Sequence, residues 1–289
     1  DRVTAEANRA EDSTASGTPN SLYDQFYGVT ADEQTENNVG GLLRYAHDLG
    51  ATGATLHGTL SRSVRTADAT ERFLAGGGMM TWVGNPEIDP EKHHQAEVGV
   101  TWTGEGSRLA ASVYYNDVTD YIMADMISDG SGNMAQGYRN VNATLYGGEL
   151  SAAAGLGAGF STRASAAYVY GQNDTDGEAL PQIPPLEGTV GLDYKSARWE
   201  AGAEVRMVDE QTRVDLQSGQ DLQETPGYAL VNLRAAFHVT PSATVRLGAD
   251  NLLDKTYSEH INRQDPNTGK GLLVNEPGRS FWAKVQAKF

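Results

Sequence analysis

The chain ends on the stretch Arg279 to Phe289, and its side-chain alternation constrains the fold more than any other feature. Phe281, Ala283, Val285, Ala287 and Phe289 fall on one face of an extended strand, while Ser280, Trp282, Lys284, Gln286 and Lys288 fall on the other, because strand side chains alternate with period two. A soluble sandwich can make one such strand, so recurrence decides. Ala96, Val98, Val100 and Trp102 oppose Gln95, Glu97, Gly99 and Thr101. Leu109, Ala111, Val113 and Tyr115 oppose Arg108, Ala110, Ser112 and Tyr114. Trp199, Ala201, Ala203, Val205 and Met207 oppose Glu200, Gly202, Glu204 and Arg206, and Ala229, Val231, Leu233, Ala235 and Phe237 oppose Asn232, Arg234 and His238.

Connections between these strands alternate in length. Tight turns at Gly50–Gly53, Gly104–Ser107, Gly155–Gly159, Lys195–Ala197 and Thr240–Ser242 interleave with long polar connections, among them 128–137, 171–184 and 258–275. The pattern predicts an all-β fold: a portion of an antiparallel transmembrane β-barrel, with about 12 strands of roughly ten residues, short periplasmic turns and long extracellular loops. A soluble sandwich has no need to sort its loops by side. Tyr114, Tyr115, Tyr121, Tyr146, Tyr168, Tyr170, Tyr194 and Trp199 gather near strand ends, where an interfacial girdle belongs. No helical period stands out.

Composition excludes several classes. The chain has no cysteine, so thiolate metal sites are out, and a net charge of -16 argues against a nucleic-acid partner. No run approaches the roughly 18 apolar residues of a membrane-spanning helix, but a barrel needs none, since it shows lipid only every second residue. Asp32, Glu33 and Glu36, and again Asp174, Asp176 and Glu178, put acid into the loops; this is ordinary solvated surface or a means of attracting cations. Asp1 is not a methionine, no signal-peptide pattern follows it, and Arg2 to Ala7 reads like a strand interior, so the chain is expected to be part of a longer secreted precursor.

Several phrases, in order, resemble the barrel of TonB-dependent outer-membrane receptors. They are Ser61-Arg62-Ser63-Val64-Arg65 with Glu71-Arg72-Phe73; Gly84-Asn85-Pro86-Glu87-Ile88-Asp89-Pro90-Glu91 with Glu97-Val98-Gly99; Tyr115-Asn116-Asp117-Val118; Arg139-Asn140-Val141-Asn142-Ala143 with Gly147-Gly148-Glu149; Asp250-Asn251-Leu252-Leu253-Asp254-Lys255-Thr256-Tyr257; and Glu276-Pro277-Gly278-Arg279. Ile88 stands where leucine is usual in the family. Asn173-Asp174-Thr175, Leu180 to Gly188, Tyr257-Ser258-Glu259-His260 and Asn275 to Lys284 resemble the TonB-dependent copper receptors within that superfamily. The resemblance implies a barrel of about 22 strands around an N-terminal plug, sited in the bacterial outer membrane and energised through the TonB complex. Residues 1–289 would be its C-terminal barrel portion, without plug, TonB-contacting segment or early strands. The implied partners are outer-membrane lipid, the TonB complex through the absent N-terminal part, and a copper ion or metal chelate as cargo, with no resident cofactor.

Five of the six methionines, Met79, Met80, Met123, Met126 and Met134, fall in or beside two consecutive long connections. Thioethers suit Cu(I), and imidazole suits copper in either oxidation state. With His93 and His94 at the end of the first connection and His260 in the last loop, these side chains are the candidate copper contacts; filling space over the lumen is the plainer role for methionine. His57 and His238, with Arg108, Glu149, Arg163, Glu200, Arg206, Arg234 and Arg246, are expected to line a polar lumen. No nucleophile with an oriented base can be found, so no enzyme activity is expected. The competing readings are a receptor for a ferric siderophore or cobalamin, and a self-contained barrel of about 12 strands acting as an enzyme or autotransporter pore. The self-contained barrel requires the N-terminus to pair with the closing strand near Phe289.

Overall fold

The computed structural model describes residues 1–7, 10–12, 17–31, 33–76, 80–261 and 273–288. The wall is one antiparallel meander in which each strand bonds to its neighbour in sequence. Its members are β3 (Gly41–Asp48), β4 (Ala54–Arg65), β7 (Glu91–Gly104), β8 (Ser107–Ser128), β9 (Met134–Gly157), β10 (Phe160–Asn173), β12 (Glu187–Lys195), β13 (Trp199–Val208), β14 (Tyr228–Thr240), β15 (Ala243–Asp250) and β16 (Ser280–Ala287). Short strands β5 (Ala75–Gly76), β6 (Trp82–Val83) and β11 (Glu178–Ala179) add to the loop side of the same sheet. The described residues end at β3 on one edge and β16 on the other, and these edges do not pair.

The opening segment is not part of this wall. β1 (Arg2–Ala5) pairs only with β2 (Gln34–Asn37), in a separate two-stranded sheet. A self-contained barrel would have needed it against β16. Two helices also appear where none was expected: α1 (Pro19–Tyr27) and α2 (Ala69–Phe73). Thr18 caps α1 and Pro19 opens it, a position where a missing N–H costs nothing. α2 carries a capping box, with Asp68 accepting from the Glu71 amide and Glu71 returning to the Asp68 amide. Both are too short to show an amphipathic period, so tertiary contacts hold them.

The two faces of the wall differ as the alternation requires. Leu56, Val98, Val113, Leu150, Val190, Leu192, Leu247, Phe281 and Val285 stand exposed on one face. Cross-strand pairs such as Val98↔Val113 and Leu192↔Ala203 keep that face in register from strand to strand. An exposed apolar face this extensive belongs against lipid rather than water.

Aromatic rings bound it at two levels. On the loop side, Tyr115, Tyr146 and Tyr170 are successive cross-strand partners, and the Tyr146 and Tyr170 rings stack at 4.5 Å. On the turn side, Phe160 packs on Tyr194 at 4.8 Å and Trp199 on Phe237 at 4.5 Å. From Phe160 to Tyr170 along β10, about 3.3 Å per residue and a tilt of about 45° give a band of roughly 23 Å, the height expected of a barrel's lipid belt. Tyr114 and Tyr121, also expected in the girdle, point to the opposite face.

β8 and β9 run to 22 and 24 residues, against about 9–11 for a crossing, so half of this hairpin projects past the loop-side belt. A bulge between Val118 and Tyr121, with Asp120 at φ 60°, marks where it leaves the membrane-height sheet. Beyond it, α1 docks: Leu22 and Tyr23 are buried with Val83 and Ala135. The Tyr27 hydroxyl accepts from the Tyr138 amide at 2.9 Å and lies 3.0 Å from the Val83 carbonyl.

Gly99 shows how tightly the polar face is built. A Cβ there would come within 2.6 Å of the His57 ring and 2.8 Å of the Ala111 carbonyl.

Leu150 lies midway between the aromatic levels. Leu150→Arg should therefore cost about 2–4 kcal/mol and reduce the fraction of intact protein reaching the heat-modifiable folded form on electrophoresis. Leu150→Phe should leave that fraction unchanged. Equal behaviour of the two variants would mean this face does not meet lipid.

Candidate functional site

The polar face is a ladder of matched charges. Arg163 bonds Asp193 and, at 2.8 Å, Glu204; Arg234 reaches Asp193 at 2.5 Å. Glu200 collects His238 at 3.2 Å, Arg246 at 3.3 Å and Lys195 at 3.6 Å. His57 lies 3.5 Å from Glu97. This is the wet wall anticipated for those residues, and a strip of small side chains, including Ser112, Ser151, Ser165 and Ala167, lines a cavity beside Glu149 and His57.

Above it, on the loop side, three clusters fasten the long connections together. In the first, Arg65 grips Glu91 with Nη2–Oε1 at 2.7 Å and Nε–Oε2 at 2.8 Å, and reaches Glu71 at 2.9 Å. Glu91 also accepts the Ile122 amide at 2.8 Å and lies 3.0 Å from His93 Nε2, whose other ring nitrogen meets Asn116 Nδ2 at 3.0 Å. Beside it, buried Arg72 pairs with Glu36 and donates to the Pro86 carbonyl at 3.1 Å.

In the second cluster Arg139 joins Asp125 at 2.6 Å to Asp176. Asn173 donates to Asp176 at 2.6 Å and to the Met123 sulfur at 3.7 Å. The hydrogen bond from Arg139 holds the Asp176 carboxyl below its ordinary value, against a smaller opposing effect of burial.

The third cluster ties three connections at once. Asp221 Oδ1 accepts the Gln182 amide and its Nε2, both at 2.9 Å, and Asp221 Oδ2 accepts the Asp215 amide at 2.8 Å. His260 Nδ1 lies 3.0 Å from Thr225 Oγ1, and its Nε2 lies 3.7 Å from Asp221 Oδ1, with no hydrogen-bond partner among the described residues. Burial lowers the His260 pKa, with Asp221 partly opposing. A buried polar atom left unpaired costs about 1–3 kcal/mol. Nearby on the wall, Arg206 is shared between Glu187 at 2.7 Å and Glu259 at 2.6 Å.

Among the described residues, the side chains singled out as copper contacts do not meet in one place. Met79 lies outside the described residues. Met123 and Met126 belong to β8 rather than to a loop, and their odd spacing sends them to opposite faces. Met123 is buried, Met134 opens β9 on the face of Met126 and is exposed, and Met80 sits half-buried in a bend. His93 and His94 are neighbours on β7, so His93 faces Glu91 on the polar side while His94 points the other way. Among the described residues no group of three or more His, Asp or Glu side chains gathers as a metal cage. Sequence reasoning passed over Asp215 and Asp221. Asp215-Leu216-Gln217-Ser218-Gly219 carries the signature of an Asx turn, seen in Asp215 Oδ1 accepting the Gln217 and Ser218 amides at 2.9 and 3.2 Å.

A lipid-facing meander, paired charges on its other face and long loops knotted on one side define a barrel wall of the outer-membrane type. Residues 9–252 match the family model for the TonB dependent receptor-like β-barrel, and the chain belongs to that family. Among solved structures, the copper transporter OprC is 32% identical, with a TM-score of 0.86 over 100% of this chain and 44% of its own. The ferric enterobactin receptor of Pseudomonas aeruginosa in complex with enterobactin is 21% identical with a TM-score of 0.67, over 89% of this chain and 41% of its own. The ferric citrate transporter FecA is 18% identical with a TM-score of 0.69, over 89% and 39%. The last two likenesses speak for fold alone. The chain spans less than half the length of each of these proteins.

The Asp176 pairing predicts a pH dependence. A carboxyl whose folded pKa is depressed contributes fully above its ordinary pKa of about 4 and loses that contribution as pH falls through the folded value. A spin label at Glu178 should grow mobile as pH falls below the ordinary carboxyl value of about 4. In Arg139→Gln the label should already be mobile at neutral pH.

Proposed function

We propose that residues 1–289 are the C-terminal barrel portion of a longer outer-membrane receptor that takes up copper, driven through the TonB complex. The supporting observation is the 32% identity to a copper transporter along the whole chain. In this reading plug, TonB-contacting segment and remaining strands come from the rest of the receptor, and β3 and β16 are the edges they complete.

Electrostatics of the loop side support a cationic cargo. Arg65, Arg72, Arg139 and Arg206 are each committed to carboxylates, and Arg213 lies over the Tyr170 ring at 3.7 Å and donates to Gln172 at 2.8 Å. An anionic ferric chelate would be drawn by uncommitted cations, whereas acidic loops raise the local concentration of a metal cation. The scattered methionine and histidine side chains then act as successive weak contacts rather than as one cage, with thioethers suited to Cu(I).

Cells carrying the full-length receptor should accumulate copper at limiting supply, read by elemental mass spectrometry, and lose that uptake when the TonB complex is disabled. Uptake of a ferric siderophore or cobalamin with copper at background would overturn the cargo and leave the family intact. Replacing Met79, Met80, Met123, Met126 and Met134 together with leucine should lower copper uptake. Unchanged uptake would remove these thioethers from the route.

A further inference from the structure

We infer that the open edge of β3 is the docking surface for the receptor segment immediately before Asp1, in one antiparallel register. The fifth residue before Asp1 lies opposite Leu43, the seventh opposite Tyr45 and the tenth opposite Asp48. The inference rests on the reading above, in which residues 1–289 belong to a longer receptor.

Its ground is the ladder between β1 and β2, which sets Arg2 opposite Asn37, Val3 opposite Glu36, Thr4 opposite Thr35 and Ala5 opposite Gln34. The ladder continues one pair further. The Asp1 nitrogen donates to the Asn38 carbonyl at 2.8 Å, and the Asp1 carbonyl accepts the Asn38 amide at 2.8 Å. Three residues on, the same stretch of chain enters β3 at Gly41. Successive residues of a strand turn their N–H and C=O groups to alternate sides. Asn38 turns its own toward Asp1, whereas the Val39 carbonyl faces the other way and accepts from Arg62 of β4. Gly41 in turn lies opposite Arg62. Gly40, Leu42, Arg44, Ala46 and Asp48 therefore present their backbone groups on the side that Asp1 occupies. No strand among the described residues meets them there, and all eight residues of β3 stand exposed.

Direction decides what can meet them. β3 runs from the loop side to the turn side, ending at the Gly50–Gly53 turn. β16 runs the same way, because it lies antiparallel to β15, which starts beside the Thr240–Ser242 turn. The wall path has eleven strands among the described residues, an odd number, so its two edges are parallel to each other. They cannot close in the antiparallel ladder of a single-chain bacterial barrel, which needs an even number. A chain that climbs from the turn side to Asp1 runs opposite to β3, as the edge requires. At about 3.3 Å per residue and a tilt of about 45°, ten residues cross about 23 Å, the height of the lipid belt.

The register also sets the chemistry of this segment. Leu43 lies opposite Leu60, Leu60 opposite Ala96 and Ala96 opposite Tyr115, so Leu43 and Tyr45 share the lipid face. The fifth and seventh residues before Asp1 are then apolar. The fourth, sixth and eighth share the lumen face of Leu42, Arg44 and Ala46, and each donates an N–H to β3. The connection from this strand to β3 carries α1, whose Leu22 and Tyr23 pack against Val83 and Ala135. Pairing at the edge thus holds in place the connection that docks on the β8–β9 hairpin.

The test uses full-length receptor purified from outer membranes, with Leu43→Cys combined in turn with cysteine at the third, fifth or seventh residue before Asp1, or with Val285→Cys. Opposite residues of a non-hydrogen-bonded pair sit about 4.5 Å apart at Cα, within reach of a disulfide. Diagonal ones sit about 7–8 Å apart, beyond it. Under mild oxidation the fifth position should cross-link and the others should not, read by mass spectrometry of the linked peptides. Heat-modifiability checks folding. Dominant cross-linking at the third or seventh position overturns the register, and linkage to Val285→Cys overturns the choice of partner. If the cysteine variants do not fold, the residues before Asp1 decide. A charge at the fifth or seventh place, or a proline at the fourth, sixth or eighth, overturns the register. Apolar residues at the fifth and seventh, with no proline at those three places, uphold it. Cross-linking at the fifth position in a receptor whose cells take up no copper upholds the register and overturns the cargo. Copper uptake by a folded receptor that does not cross-link there overturns the register alone.

Discussion

Every peptide group at membrane height must find its hydrogen bond in a neighbouring strand, because lipid offers none. The rest of this structure follows from that. An unbroken antiparallel ladder from β3 to β16 satisfies the backbone between strands, and the pleat then decides which side chains meet lipid and which meet water. Leu56, Val98, Val113 and Leu150 stand out on one face, and Arg163, Asp193, Glu200 and Arg246 pair on the other. A one-residue slip in any strand would exchange the two sets, which is why a single register runs through so many strands.

The same requirement makes the two edges significant. β3 and β16 are exposed along their whole length and each presents a row of backbone groups to no strand among the described residues. In lipid such edges are untenable unless something pairs with them. In the receptor reading proposed above, early strands of a longer barrel pair with them, whereas β1 is engaged with β2 and does not.

Strand faces were legible in the sequence because lipid on one side and water on the other enforce period two. That logic holds only between the aromatic levels. Past the bulge at Val118–Tyr121, β8 and β9 have protein on both faces: Ile122 packs with Ala67 and Ile88, Ile127 with Leu22 and Tyr23. The alternation fades there, and a long hairpin read as a loop. The Asp68 and Glu71 capping box could have been read from the sequence, but five residues of helix leave no period to confirm it. The His260 cluster was legible only in part. Histidine in a late loop is visible as a type of residue, whereas its meeting with Asp221 and Thr225 depends on how separate connections fold over one another.

What distinguishes a receptor for one ion from a receptor for a large chelate is the number of groups left free to recognise it. A chelate presents a broad surface and rewards a broad complementary one. A metal ion rewards a few donors held in place, and it gains from surroundings that bind nothing else. Among the described residues on the loop side, Arg65, Arg72, Arg139 and Arg206 are taken up by carboxylates and Arg213 is laid over a ring, and many hydrogen bonds hold connections together. In the copper reading proposed above, arginines so engaged offer less for an anionic ligand to grasp, while thioether, imidazole and carboxylate groups suit a cation that exchanges its waters for sulfur, nitrogen or oxygen.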